Sequence, residues 1–164
     1  MENTNNRNEH VTMGHSGSPY KKFLLILGIS FILMYAIMFL NVDDANHIYL
    51  SVTRTYMSIL MVSAMALVML PMMGKMYPNR KLNRIILGAG IIVFIVTLTF
   101  LRQQAFIGDV QYMKGMIPHH SSAIMTSKNA SIKDPEVKKL SEQIIKSQEE
   151  EIAQMKAKLK ELEN

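Results

Sequence analysis

The chain of 164 residues contains no cysteine and no tryptophan. Without cysteine it forms no disulfide bond and offers no thiolate to a metal ion. A structural zinc site, which relies on Cys together with His, is therefore excluded. Softer and borderline ligands are still present, because the chain has 15 methionines and five histidines. Thioether and imidazole groups are the ligands that copper and similar ions take in proteins.

The sequence also lacks the signatures of common enzyme classes. It has neither a phosphate-binding loop nor a dinucleotide-binding glycine motif. No nucleophile, base and acid occur together in a catalytic pattern, and the Glu-x-x-His pairs of di-iron proteins are missing. We therefore expect a protein that is not an enzyme.

The net charge of +5 is unevenly distributed along the chain. Residues 1–102 hold nine Lys or Arg and four Asp or Glu, whereas residues 103–164 hold nine of each kind. The positive excess thus belongs to the apolar part of the chain rather than to a soluble basic surface, and we expect no nucleic-acid partner.

Three long uncharged runs dominate the first two thirds of the chain: Phe23–Val42, Tyr56–Met73 and Ile85–Leu101. Each is long enough for a helix to cross a hydrocarbon core of about 30 Å. The runs predict a three-helix transmembrane region over residues 21–104, preceded by a disordered cytoplasmic tail over residues 1–20. Three buried helices of a soluble bundle are the alternative.

The basic residues around these runs predict the orientation in the membrane. Lys21 and Lys22 precede the first run, and four basic residues lie between the second and third: Lys75, Arg80, Lys81 and Arg84. The loop after the first run has Asp43 and Asp44, with Arg54 as its only basic residue. Because cytoplasmic loops carry the excess of Lys and Arg, we expect a cytoplasmic N-terminus and an extracytoplasmic C-terminal segment.

Residues 105–164 read as an antiparallel helical hairpin. Asp109 is a candidate cap for a helix to about Asn129, and Asp134-Pro135-Glu136 opens a second helix to about Leu162. The predicted apolar stripe of the second helix, interrupted by Gln148, is Val137, Leu140, Ile144, Ile152, Met155, Leu159 and Leu162. So short a hairpin rarely forms its own core, so we expect it to pair with a second copy or to rest on the membrane spans.

The octapeptide Met113–His120, with the sequence MKGMIPHH, is the strongest candidate site. Asp109, Met113, Met116 and His120 follow spacings of four, three and four, which place them on one helical face. The opposite helix offers Gln148, as a partner for a His ring, with Glu151 and Met155. The neighbouring histidines point about 100° apart, so both bind one ion only if the helix is distorted. Pro118 is the residue that would distort it, or it starts a new helix.

These donors predict a soft ion, Cu(I) first, with Ag(I) or Cu(II) as alternatives. Three further features stay open. His47 in the first outer loop is a candidate auxiliary ligand, and the N-terminal tail carries His10, Met13 and His15. A ladder of methionines at spacings of four either binds metal or only packs: Met57, Met61, Met65, Met69 and Met73.

Over about the last 56 residues the chain resembles the DUF305 family, through Met116-Ile-Pro-His-His120, Asp134-Pro-Glu-Val and the segment from Ile144 to Met155. The three spans resemble the membrane-anchored branch of that family. The resemblance implies a ferritin-like helical fold, here half of a bundle, and copper binding and resistance in the bacterial envelope. The metal ligands that it implies are Met116, His119, His120 and Met155, with Asp109, Met113, Gln148 and Glu151 as further members. Many members have Met where this chain has Thr126, so one usual ligand is missing.

Together these features predict a multi-pass protein of the bacterial inner membrane whose extracytoplasmic hairpin binds copper for sequestration, handover or resistance. Its expected partners are the lipid bilayer, the metal ion and a second copy of the chain. The alternative is a scaffold or regulatory subunit of the envelope that dimerises through the hairpin and binds no metal.

Overall fold

The computed structural model describes residues 19–163, and all regular structure in that part of the chain is helical. Two single 3-10 turns, Ala45–His47 and Gly74–Met76, lie in the loops between helices. The five longer helices are α1 Pro19–Ile37, α2 Val52–Met72, α3 Arg80–Gln103, α4 Asp109–Asn129 and α5 Pro135–Glu163. The predicted all-α class is confirmed, whereas the tail with His10, Met13 and His15 lies outside the described residues.

The helices α1, α2 and α3 are each long and apolar enough to cross a membrane. Their outer faces carry large apolar side chains, such as Leu24 and Ile92, which are 63% and 64% exposed. Such faces suit a lipid environment, because water would penalise them. The alternative of three buried helices in a soluble bundle does not fit this exposure.

The helix ends differ from the ends of the apolar runs. α1 stops at Ile37, before its run ends. Just beyond it, Arg54 donates a hydrogen bond to the Met38 carbonyl and lies over the Phe39 ring. Pro71 lies in the last turn of α2, which ends at Met72. The proline therefore marks the end of that span rather than a kink within it.

α2 is the central span and packs against both α1 and α3. Its buried face consists mainly of small residues, Ser58, Ser63 and Ala66, which let the neighbouring helices approach closely. The closest approach to α3 is at Gly90, where a Cβ atom would lie 3.0 Å from the Leu67 side chain. The spans are thus packed through small residues on one helix and a glycine on the next.

A left-handed turn redirects the chain from α3 to α4. Gln104 and Phe106 have positive φ angles of 51° and 60°, which is uncommon for residues other than glycine. The Tyr56 hydroxyl donates to the Ala105 carbonyl at 2.8 Å, and the Phe106 ring packs on Phe100. These contacts hold the turn and fix where α4 begins.

α4 and α5 lie side by side and run antiparallel. Lys114 pairs with Glu163, His120 with Glu151, and the Ser141 hydroxyl donates to the Ser127 carbonyl. The core between the two helices is Met113, Ile117, Ile124, Ile152 and Leu159. Tyr49 from the loop after α1 packs against the same core, so this loop contributes to the interior of the hairpin.

Two details of the predicted hairpin are wrong. The N-cap of α4 is Gly108, and Asp109 is the first helical residue. In α5 the face toward α4 has Ser141 and Ile145, so Leu140 and Ile144, one position earlier, are turned about 100° away and are exposed. The predicted stripe holds only at Ile152, Met155 and Leu159, whereas Leu162 is exposed.

The packing at Gly90 predicts a position-specific loss of stability. Gly90→Leu must displace the Leu67 side chain or separate α2 from α3, at a cost of about 1–3 kcal/mol for an overpacked site. Gly88→Leu is the matched control, since nothing lies within 4 Å of a Cβ atom at Gly88. Thermal unfolding of the full chain in detergent should show a lower midpoint for Gly90→Leu than for Gly88→Leu. Equal midpoints would contradict this packing.

Candidate metal site

The two adjacent histidines of α4 lie on different sides of the helix. α4 continues through Pro118 without a break, so Pro118 does not start a new helix. His119 is exposed and His120 is buried, and their ring centroids are 6.2 Å apart at an angle of 74°. The expected distortion that would bring both rings to one ion is not present.

His120 lies between α4 and α5, with an acceptor at each ring nitrogen. Nδ1 is 3.0 Å from the Met116 carbonyl oxygen, and Nε2 is 2.7 Å from Oε2 of Glu151. A neutral imidazole has only one N–H. The contact with Glu151 is a hydrogen bond when Nε2 carries a proton, and both contacts are hydrogen bonds only when the ring carries two protons.

The partner of the His120 ring on α5 is Glu151, and not Gln148 as the sequence suggested. The Ser147 hydroxyl donates to Oε1 of Glu151 at 3.0 Å. This bond, followed by that to His120, lowers the pKa of Glu151 below its ordinary value, so the carboxylate is ionised at neutral pH. Gln148 lies between Ser141 and Glu151 on α5, which puts it level with the segment after His120 rather than with Met113.

The other predicted ligands of the hairpin do not gather around His120 as a single set. Met113 is only 7% exposed and belongs to the hydrophobic core, and Met155 packs against that core. Asp109 is exposed at the start of α4. Among residues 19–163, no three or more His, Asp and Glu side chains come together.

Met116 and His119 face a cavity on the other side of α4. The cavity has a volume of about 380 Å³ and lies between α4 and the ends of the three spans. Its lining includes two methionines from the spans, Met38 after α1 and Met57 on α2, together with Arg54 and Tyr112. Three thioethers and one imidazole therefore line one space, and all four are neutral ligands of the kind that Cu(I) accepts.

The sequence did not identify Met38 and Met57 as companions of Met116 and His119. Met57 was noted in the sequence only as the first of the methionines spaced four residues apart on α2. Further along that ladder, Met69 and Met73 pack against the core at the other end of the spans. Only the folded connection between α3 and α4 brings the start of the ladder next to the octapeptide.

The loop after α1 holds α4 in place over the spans. The Ser121 hydroxyl, which is fully buried, accepts a hydrogen bond from the Asp43 N–H at 2.8 Å and contacts Nδ1 of His47 at 2.9 Å. The Asn41 amide donates to the Ser122 hydroxyl at 2.7 Å. His47, a candidate auxiliary ligand by sequence, thus anchors this loop and does not line the cavity.

Further contacts tie the two ends of α4 to the same region. Near its start, Gln111 accepts a hydrogen bond from the Val52 N–H at 3.1 Å, so it also caps the first turn of α2. Near its end, Lys128 pairs with Asp43 at 2.9 Å, and this contact raises the pKa of Lys128. A Cβ atom at Gly115 would lie 3.5 Å from Oγ1 of Thr53. α4 thus rests closely on the start of α2.

The His47 contact predicts that loop docking depends on pH. Partial burial, with the charge of Lys156 next, lowers the pKa of His47 below 6.5, against the opposing effect of Asp44 and Asp43. The undocked loop therefore binds protons more readily, so docking is strongest above pH of about 6.5 and weakens as the pH falls below it. Lys128 also faces His47 and is charged throughout this range.

Hydrogen exchange of residues 41–51 at pH 7.5 and 5.5, corrected for intrinsic rates, measures this effect. Protection should be lower at pH 5.5 than at pH 7.5 by at most about tenfold in total, because the imidazole of the undocked loop has its ordinary pKa of 6.5. His47→Gln keeps a neutral polar side chain that does not titrate, so its loop should show little pH dependence. The same pH response in both proteins would contradict the role given to His47.

Comparison with known proteins places this chain in a family. A family model described as a domain of unknown function, DUF305, matches residues 96–163. An uncharacterized protein of Acanthamoeba polyphaga mimivirus is 40% identical over 142 residues, which cover 84% of this chain and 91% of the relative. No solved structure matches the chain. The chain belongs to the DUF305 family.

Proposed function

We propose that this protein is a membrane-anchored metal-binding protein that takes up Cu(I), or a similar soft ion, on the extracytoplasmic side of a bacterial inner membrane. Its role is the sequestration or handover of copper, and through these copper resistance. The observation that carries the proposal is that Met116 and His119, one turn apart on α4, face an open cavity. A thioether and an imidazole are thereby accessible to an ion from outside the hairpin.

The choice of ion follows from the ligands. The two side chains of α4 that bring a sulfur or a ring nitrogen to the cavity are Met116 and His119, and no cysteine exists in the chain. Thioether ligands select Cu(I), and imidazole also suits copper. Cu(II) would draw more on His120 and Glu151, whose nitrogen and oxygen atoms already face each other between α4 and α5. Ag(I) shares the preferences of Cu(I) and serves as its redox-inert probe.

The proposed location rests on charge and hydropathy. Lys21 and Lys22 begin α1, and Arg80 begins α3, at the end of the spans away from α4. By the positive-inside rule that end is cytoplasmic, and α4 with α5 is then outside the cytoplasm. The relative from Acanthamoeba polyphaga mimivirus is viral, and the bacterial envelope is part of the proposal.

Copper titration tests the function directly. The full chain in detergent competes for Cu(I) with a chromophoric chelator, and the double variant His119→Ala and His120→Ala should bind at least about tenfold more weakly, or about 1.4 kcal/mol. Met125→Leu is the matched control, because it removes a thioether of α4 that does not line the cavity. Affinity unchanged in the double variant would overturn the proposal.

A second candidate function is the metal-independent scaffold that dimerises through the hairpin. One observation favours it: Val137, Leu140 and Ile144 form an exposed apolar stripe on α5, at 49%, 55% and 36% exposure. Stripes of this kind are common in helix–helix interfaces between proteins.

The scaffold predicts a dimer that is unaffected by copper and that Ile144→Asp dissociates. Analytical ultracentrifugation of the detergent-solubilised chain, with and without Cu(I), measures this. Ile152→Asp does not serve as the test, since Ile152 is buried in the core of the hairpin and its substitution would unfold the hairpin. A monomer under both conditions rejects the scaffold, whereas a dimer that requires Ile144 and ignores copper supports it.

A further inference from the structure

The cavity beside α4 is built by the membrane spans as much as by the hairpin. Met116 and His119 reach it from α4, whereas Met38 and Met57 reach it from the ends of α1 and α2. We propose that these four side chains form one composite site for a monovalent soft ion, so that the spans supply ligands as well as an anchor. This inference rests on the proposed function and adds two ligands that the hairpin alone does not have.

Several contacts fix the spans relative to α4, and so hold the two halves of the site together. Arg54 donates to the Met38 carbonyl, which fixes the chain at the end of α1 against the start of α2. The Tyr35 hydroxyl donates to the Ser51 carbonyl and accepts from its N–H, at the residue that caps α2. Gly115 brings α4 against Thr53. A site preorganised by such supporting contacts costs less to close around an ion.

The side chains themselves can adapt to the ion. Methionine has three rotatable bonds and a polarisable sulfur, so three thioethers can turn toward a common centre inside a cavity of about 380 Å³. Met57 is 43% exposed and is not fixed by the span core. The imidazole of His119 is exposed and has no role in the hairpin core, unlike that of His120.

Arg54 determines which charge the site accepts. Its guanidinium lines the cavity and lies 4.3 Å from the centre of the Phe39 ring. The four proposed ligands are neutral, so nothing among them offsets the repulsion between Arg54 and a bound cation. Since Coulomb repulsion doubles with the charge of the ion, the site should favour Cu(I) and Ag(I) over Cu(II) and Zn(II).

Competition for Cu(I) by the full chain in detergent tests the composite site. The double variant Met38→Leu and Met57→Leu should bind at least about tenfold more weakly than the unmodified chain. The matched control is Met34→Leu with Met61→Leu, which removes thioethers one turn deeper in the same two spans. Because Leu and Met have similar volumes, both variants should fold, and their thermal midpoints check this.

Methionine methyl NMR with Ag(I) gives a second readout. Methyl resonances of Met38, Met57 and Met116 should shift together at one equivalent, whereas those of Met61 and Met125 should not. If both double variants keep full affinity while His119→Ala weakens binding, the spans contribute no ligand and this inference fails, but the proposed function stands. If the span variants and the double variant His119→Ala and His120→Ala all bind as the unmodified chain does, both fail.

Discussion

The position of α4 over the ends of α1, α2 and α3 depends on its contacts with the loop after α1, among them those of one buried hydroxyl. Ser121 is completely buried where the loop after α1 meets α4, and it bonds both the Asp43 N–H and the His47 ring. A buried hydroxyl without partners would cost about 1–3 kcal/mol, so the loop and the helix hold each other. With Ser121 fixed on one side, the helical repeat of α4 decides where all its other side chains point.

That constraint divides the octapeptide between two environments. His120, next to Ser121, is directed between α4 and α5, where Glu151 meets its Nε2 atom. His119, about 100° away, is directed into the cavity with Met116. A pair of adjacent histidines thus provides one ring that joins the hairpin together and one ring that is free to take a ligand. A continuous helix through Pro118 makes this division unavoidable.

Much of this fold could be predicted from the sequence, because it depends on local patterns. The three apolar runs mark α1, α2 and α3, which are long and apolar enough to cross a membrane. Asp134 caps α5 through hydrogen bonds to the N–H groups of Glu136 and Val137. The bounds of α4 and the C-terminal part of the α5 stripe follow from periodicity in the same way. These features depend on neighbours in sequence, which a single chain displays directly.

The site could be predicted only in part, because it depends on contacts between distant segments. The octapeptide identified Met116 and His119, but the pairing of His120 with Glu151 rather than Gln148 depends on the register between α4 and α5. The place of Met38 and Met57 in the cavity depends on the left-handed turn at Gln104 and Phe106. Neither residue type is typical of such a turn, so the sequence did not predict it. Leu140 and Ile144 were predicted to face α4 because their spacing fits a helical stripe. Spacing alone does not show which of two neighbouring stripes faces α4, and in the structure it is the one with Ser141 and Ile145.

The central claim is that one soft ion sits among ligands from the spans and from the cavity side of α4. X-ray absorption at the copper edge, on the full chain loaded with one equivalent of Cu(I), tests it most directly. We predict a shell dominated by sulfur with one imidazole nitrogen, and that nitrogen should disappear in His119→Ala and persist in His120→Ala. A nitrogen contribution that is lost in His120→Ala and retained in His119→Ala would place the ion between α4 and α5 and contradict the account.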